Sequence, residues 1–264
     1  MLSLVLTACL SDIRPDALDP TDAEAAARGR EMMEAVAEAH GGLEAWNARQ
    51  NVTVELIDTW DGFMARLVNP WPLAAAHVRL EQRLHSFDSR ATFLDDDHAG
   101  LVWGVTGGRT WVTDDGVTTI EDRSDVGFML PTMHYFTEIP YRLLEAPILI
   151  DVGPETLDGV TYKRVFATWS TTAPNAEFDQ YVVYIHPETG RLAKTFYTVR
   201  EMASFVTGTM NYEDYQEVDG AWMPMTMYVS PEPKDGMADN LHAVEVKGWA
   251  FDVAPAAAFE IPEG

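Results

Sequence analysis

His134 and Glu138 stand four residues apart in an apolar stretch, a spacing that puts a base and a carboxyl group on one helical face. Over a cavity such a pair could do acid–base work; in a packed helix it is one satisfied histidine. The remaining histidines, at 40, 77, 85, 98, 186 and 242, are scattered, without the i, i+4 His pair of a helical zinc site. Asp95-Asp96-Asp97-His98 offers clustered carboxylates to a hard cation. It reads equally as a solvated hairpin tip between Phe93-Leu94 and Leu101-Val102, and no metal is expected. Ser170 and Ser204 lack the Gly-x-Ser-x-Gly elbow of a hydrolase, and Gly107-Gly108-Arg109 reads as a turn. No glycine-rich loop precedes a Lys-Ser/Thr pair. The expectation is a protein without cofactor and without catalysis.

The only cysteine is the most specific signal. Leu6-Thr7-Ala8-Cys9 follows the apolar run Met1-Leu2-Ser3-Leu4-Val5-Leu6 and resembles a bacterial lipobox, where a signal peptide is cut and the cysteine acylated. Thr7 and Ala8 supply the small side chains that such a cut needs. A lone thiol makes no intrachain disulfide, and the alternative is an incidental cysteine near a terminus. The apolar run is shorter than the roughly 7–15 residues of a signal-peptide core, so the reading frame is expected to start inside a longer signal peptide. Residues 1–8 are then signal peptide, 9–20 a lipidated tether rich in Pro and Asp, and 21–264 one domain. No stretch approaches the roughly 18 apolar residues of a membrane-spanning helix.

Composition narrows the partners. With 42 Asp and Glu against 18 Lys and Arg, the net charge of −24 repels nucleic-acid phosphates and anionic headgroups. The acids are spread along the chain, as in proteins kept soluble in salt by their charge. An apolar share of 47 % suffices for a sizeable core.

The elements that would position any site follow from periodicity. Thr21 opens a helix with Glu24 as its capping-box partner; Ala25, Met32, Val36 and Ala39 recur at helical spacing, and His40-Gly41-Gly42 ends it. A short turn, residues 43–47, places Trp46 against whatever the helix covers. From Asn51 onward the period is two. Strands are predicted over 52–56, 78–84, 101–106, 110–113, 117–120, 160–169, 178–185, 191–199, 206–218, 222–228 and 243–251. Turn signals separate them at Asp61-Gly62, Gly107-Gly108, Asp115-Gly116, Asp158-Gly159, Thr189-Gly190 and Asp219-Gly220. With no helical pattern between most strands, the sheet is an antiparallel meander. Residues 128–146, apolar and broken by prolines, read as one or two short inserted helices.

Both faces of the segment 178–185 are apolar, so both must be covered by helices, core or a greasy ligand. Eight Trp and twelve Met are many for this length. Trp60, Trp103, Trp111, Met129, Met133, Trp169 and Trp222 are candidate linings of an apolar cavity, flat rings beside adaptable thioethers, although plain core packing explains each one singly.

Three segments carry a family resemblance. His40-Gly41-Gly42-Leu43-Glu44-Ala45-Trp46 leading into 52–56, the hairpin His186–Leu192, and Tyr212–Pro224 with its Asp-Gly turn are similar to LolA/LolB-like envelope lipoproteins. The resemblance implies a mainly β fold with α: a single antiparallel sheet curled into an incomplete β-barrel, closed by an N-terminal helix and a mid-chain helical insertion. It also implies a hollow that holds a lipid, an acyl chain or a lipidated protein. Rival readings are an enzyme using that hollow through His134, or a scaffold with a filled barrel that binds an envelope protein. Leu10, where an aspartate would signal retention in the inner membrane, points to the outer membrane, facing the periplasm.

Overall fold

The computed structural model describes residues 10–233 and 240–262. Cys9 and the expected signal peptide before it lie outside the described residues. In chain order the helices are α1 (Ala23–Ala39), α2 (Leu43–Asn47), α3 (Phe63–Val68) and α4 (Ser124–Arg142). The first strands are β1 (Asn51–Thr59), β2 (Ala75–Arg83), β3 (Ser89–Phe93), β4 (Val102–Thr106), β5 (Arg109–Asp114) and β6 (Val117–Ile120). After α4 come β7 (Ile148–Asp151), β8 (Glu155–Leu157), β9 (Val160–Thr168), β10 (Tyr181–Ile185) and β11 (Leu192–Thr198). The last are β12 (Thr207–Glu213), β13 (Gln216–Val218), β14 (Ala221–Met223), β15 (Thr226–Ser230) and β16 (His242–Phe251).

Among the described residues the chain forms two compact units. The first holds residues 10–39, Leu143–Asn211 and the described part of 229–240. Its strands pair antiparallel in the order β12-β11-β10-β9-β7, with β8 also on β9, and β7 at the edge. The second holds His40–Arg142, Tyr212–Tyr228 and Leu241 onward. There the order is β6-β5-β4-β3-β2-β1-β16-β15, antiparallel from β6 to β16, with a separate β13-β14 hairpin. The sheet is mainly antiparallel and does not close.

Local chemistry explains most boundaries. Asp115-Gly116, at φ 46° and 78°, makes the β5–β6 turn, because both residues reach positive φ at low cost. Asp61-Gly62 behaves differently and opens α3, which the sequence pattern did not predict. Asp22, not Thr21, caps α1: its Oδ1 accepts the Glu24 and Ala25 N–H groups, both at 2.9 Å. The insertion is one continuous 19-residue helix that contains Pro131 and Pro140. Pro131 removes one backbone donor, but the helix buries Val126, Met129, Leu130, Met133, Phe136 and Ile139, and that burial outweighs the lost bond.

The tether differs too. Ile13 is only 8 % exposed and joins Ala25, Ile150, Val152, Tyr162, Phe166, Val182 and Tyr184 in one apolar cluster. That cluster covers one face of β10. On the other, Tyr181 meets Trp169 and Tyr197 with ring centroids 5.7 and 6.4 Å apart.

Helix α1 packs directly on the edge strand β7, and Gly29 permits it. A Cβ at Gly29 would come within 2.8 Å of the backbone of Leu149, Ile150 and Asp151. Ala ordinarily favours a helix interior by roughly 1 kcal/mol over Gly. Here backbone cannot yield, so Gly29→Ala is expected to destabilise by a net ~1–3 kcal/mol in urea unfolding. A stabilised variant would show that α1 does not lie against β7 this closely.

Candidate functional site

The seven sequence candidates fall mostly inside the packed core. Trp60, Trp103, Trp111, Met129 and Met133 are buried in the second unit, while Trp222 there and Trp169 in the first are half-buried. Trp103 stacks on Trp71 (5.5 Å) and meets Phe93 edge-on (5.3 Å). Trp111 donates its Nε1–H to Thr106 Oγ1 at 3.1 Å. α4 lies over β3, β4 and β5, which places Met129 and Met133 on this aromatic layer.

α4 also carries His134, Glu138 and Arg142 at successive i, i+4 positions, and all three meet. His134 is 0 % exposed, and its Nε2 sits 3.0 Å from Glu138 Oε1 without the alignment of a hydrogen bond. Glu138 in turn accepts from Arg142 and from Trp46 Nε1 at 3.3 Å. Burial holds the His134 imidazole below its ordinary value, only partly offset by the carboxylate. Burial alone would raise Glu138, but His134 and Arg142 outweigh it and lower the acid. The predicted pair therefore exists, sealed from solvent.

A second acid–histidine pair is also buried, and no local motif announced it. The β1–β16 ladder carries a bulge between Glu55 and Leu56, after which Asp58 pairs with Val244. That one-residue shift brings His242 to the buried face that Asp58 and Trp60 share. Asp58 Oδ1 lies 2.8 Å from His242 Nδ1, and its Oδ2 accepts Trp60 Nε1 (3.0 Å) and Trp71 Nε1 (2.8 Å). Trp60 stacks flat on His242, centroids 4.0 Å apart. The arrangement orients an imidazole as a general base would be oriented. Among the described residues, however, no serine or threonine hydroxyl hydrogen-bonds His242. The alternation Val52-Val54-Leu56 continues in phase to Asp58, so an acid on the core face was the available signal.

The acidic run near residue 96 is a short 3-10 turn, Asp96–His98, and Asp95 Oδ2 accepts the His77 N–H at 3.0 Å. Among the described residues no group of three or more His, Cys, Asp or Glu could hold a metal ion. No helix among them is long and apolar enough to cross a membrane.

The first unit contains a cleft of about 620 Å³ beside β7. Ala26, Ala27, Pro147 and Ile148–Ile150 give it apolar walls, and Arg30, Ser170, Thr171 and Thr172 give it polar ones. Arg30 is held in place by donating to the Leu144 and Ala146 carbonyls at 2.8 and 2.9 Å. None of the seven candidate residues lines this cleft, although Trp169 directly precedes Ser170.

No protein-family model matches the sequence, and no curated protein matches it. Solved structures do share the fold. A DUF1329 family protein from Desulfovibrio piger superposes with a TM-score of 0.55 at 12 % identity, covering 89 % of this chain and 97 % of the other. A putative outer membrane lipoprotein-sorting protein domain from Vibrio parahaemolyticus gives the same figures: 0.55, 12 %, 89 % and 97 %. A LolA superfamily protein from Nitrosomonas europaea gives 0.52 at 11 % identity, again over 89 % and 97 %. The fold is of the LolA type, as the sequence resemblance implied.

The buried histidine on α4 has a measurable consequence. His134 binds its proton less readily folded than at the ordinary value of 6.5, so the unfolded chain takes up the extra proton as pH falls through that value. Stability is expected to drop between pH 7 and 5. Glu138, lowered from 4.5, adds its own loss only at lower pH. Urea titrations of His134→Gln should show a slope shallower by up to about 1.4 kcal/mol per pH unit; identical slopes would contradict a buried neutral imidazole.

Proposed function

We propose that this protein is a lipid-anchored envelope protein, held at the outer membrane facing the periplasm by acylated Cys9. It binds a lipid, an acyl chain or a lipidated polypeptide and performs no chemistry on it. The observation that carries this reading is the cleft at β7, whose apolar wall (Ile148, Leu149, Pro147, Ala26, Ala27) stands beside Arg30 and three hydroxyl side chains. An amphipathic ligand divides in the same way, and about 620 Å³ lies within the roughly 300–1,000 Å³ of ordinary ligand sites. The fold shared with a putative lipoprotein-sorting domain supports the same ligand class. The Trp and Met candidates, Trp60, Trp103, Trp111, Met129 and Met133 among them, enter this proposal as a closed interior, one that takes a guest only if α4 lifts. Enclosure of His134 favours binding over acid–base turnover, since no substrate reaches an imidazole at 0 % exposure.

Ala27 is exposed on α1 at the cleft, so Ala27→Trp fills the space without disturbing the core. Native mass spectrometry of full-length protein from its own membranes should show a co-purified lipid, lost or reduced at least tenfold in this variant. Palmitate labelling should disappear in Cys9→Ser. Protein free of lipid in both forms, and without binding of added fluorescent fatty acid, would refute the reading.

A further inference from the structure

We infer that the turn joining β11 to β12 is a membrane-contact surface, and that the first unit lies with this face against the bilayer that holds its anchor. The inference rests on the proposed acylation of Cys9. Two residues beyond that cysteine the chain is fixed, not free. Ser11 donates its backbone N–H to the Ser204 carbonyl at 2.8 Å, and its hydroxyl reaches the same oxygen at 3.2 Å. Arg200 donates to Ser11 Oγ (2.9 Å), to the Ser11 carbonyl (2.6 Å) and to the Ser204 carbonyl (2.6 Å). Ile13 follows, its N–H bonded to Gln180 Oε1 at 3.2 Å and its side chain buried.

Two residues of fully extended chain span at most about 7 Å. Acyl chains on Cys9 therefore enter lipid within that reach of Ser11 and of the turn that holds it. The turn is itself well defined: Val199 N–H reaches the Val206 carbonyl at 3.1 Å, and Met202 N–H the Val199 carbonyl at 3.2 Å. It leaves Met202 44 % and Phe205 72 % exposed. Phe178, also exposed, adjoins Asp179, whose Oδ1 accepts the Arg200 N–H at 2.9 Å. Met202 and Phe205 thus stand exposed on the turn that pins Ser11, and Phe178 is next in sequence to Asp179, which bonds that turn, on a chain whose surface is otherwise rich in acids.

The local charges suit neutral headgroups. Arg14 pairs with Asp12 at 2.6 Å and Asp179 accepts the Arg200 backbone N–H, while Glu201 in the turn and Glu177 beside Phe178 are exposed acids that would repel anionic lipid. Apolar contact, not attraction to anionic lipid, would hold this face down.

The test uses full-length acylated protein. Cys9 is the only cysteine, so with its sulfur acylated Phe205→Cys or Met202→Cys supplies a single free thiol for bimane. Glu188→Cys, exposed in the hairpin at the opposite end of β11 in the same unit, is the control. In phosphatidylcholine vesicles, bimane at 205 and 202 should shift to the blue and be quenched several-fold more by nitroxide-bearing lipid than at 188. Equal quenching at all three positions in protein of acylated mass would overturn this orientation while sparing the anchor. An intact mass showing unmodified Cys9 would overturn both.

Discussion

Strands that are apolar on both faces need cover on both, and helices and neighbouring side chains provide it in each compact unit. In the first unit α1 sits so near the β7 edge that only a glycine fits at position 29. Unpaired backbone groups of an edge strand invite association with other chains, and a helix laid across them prevents that. In the second unit α4 lies over β3, β4 and β5. It does so although two prolines interrupt its hydrogen bonding, because its apolar side chains have no better place. Each helix is held by the surface it covers more than by its own propensity.

The same balance explains which elements the sequence made visible. Strands with large alternating side chains, such as β9 and β16, lie within a residue of their expected limits, while β1 runs on past Leu56 to Thr59. β3 was missed because its buried positions are Ser89, Ala91 and Phe93, of which only the last is large and apolar. β7 escaped because Ile148-Leu149-Ile150 is too short a run to separate strand from helix by periodicity. The long strand expected over 206–218 is broken at Asp214, whose φ of 55° ends the ladder. That over 222–228 is broken near Pro224, which brings no N–H to a ladder. Prolines misled in the opposite direction within α4, where packing overrode the local rule.

The candidate sites were legible only where their partners are close in sequence. His134 and Glu138, one helical turn apart, were found; that Arg142 would join them and Trp46 would donate to the acid was not. Asp58 and His242 are 184 residues apart, and their meeting depends on a bulge that no spacing encodes. The cleft is equally non-local, since its walls come from α1, β7 and the segment after β9. Five of the seven aromatic and methionine candidates for a cavity wall are buried and Trp169 and Trp222 are half-buried, but an interior position and a cavity wall carry the same sequence signature. Composition cannot tell a ring that faces a guest from one that faces Phe93.

Charge sets the terms on which any ligand or membrane is met. At −24 the molecule repels anions at long range, and screening confines the attraction of individual arginines to roughly a nanometre. Arg30 in the cleft already donates to two main-chain carbonyls, so less of its hydrogen-bonding capacity remains for an incoming phosphate or carboxylate. A ligand held there gains chiefly by burying apolar surface, at roughly 25 cal/mol per Å². Selectivity under those conditions follows chain length and headgroup neutrality more than headgroup charge. The proposed membrane-contact face obeys the same physics, since exposed Met202 and Phe205 stand on a turn whose Arg200 guanidinium is taken up by Ser11 and Ser204. An acidic protein that binds apolar material, as proposed, approaches it through apolar side chains rather than through charge.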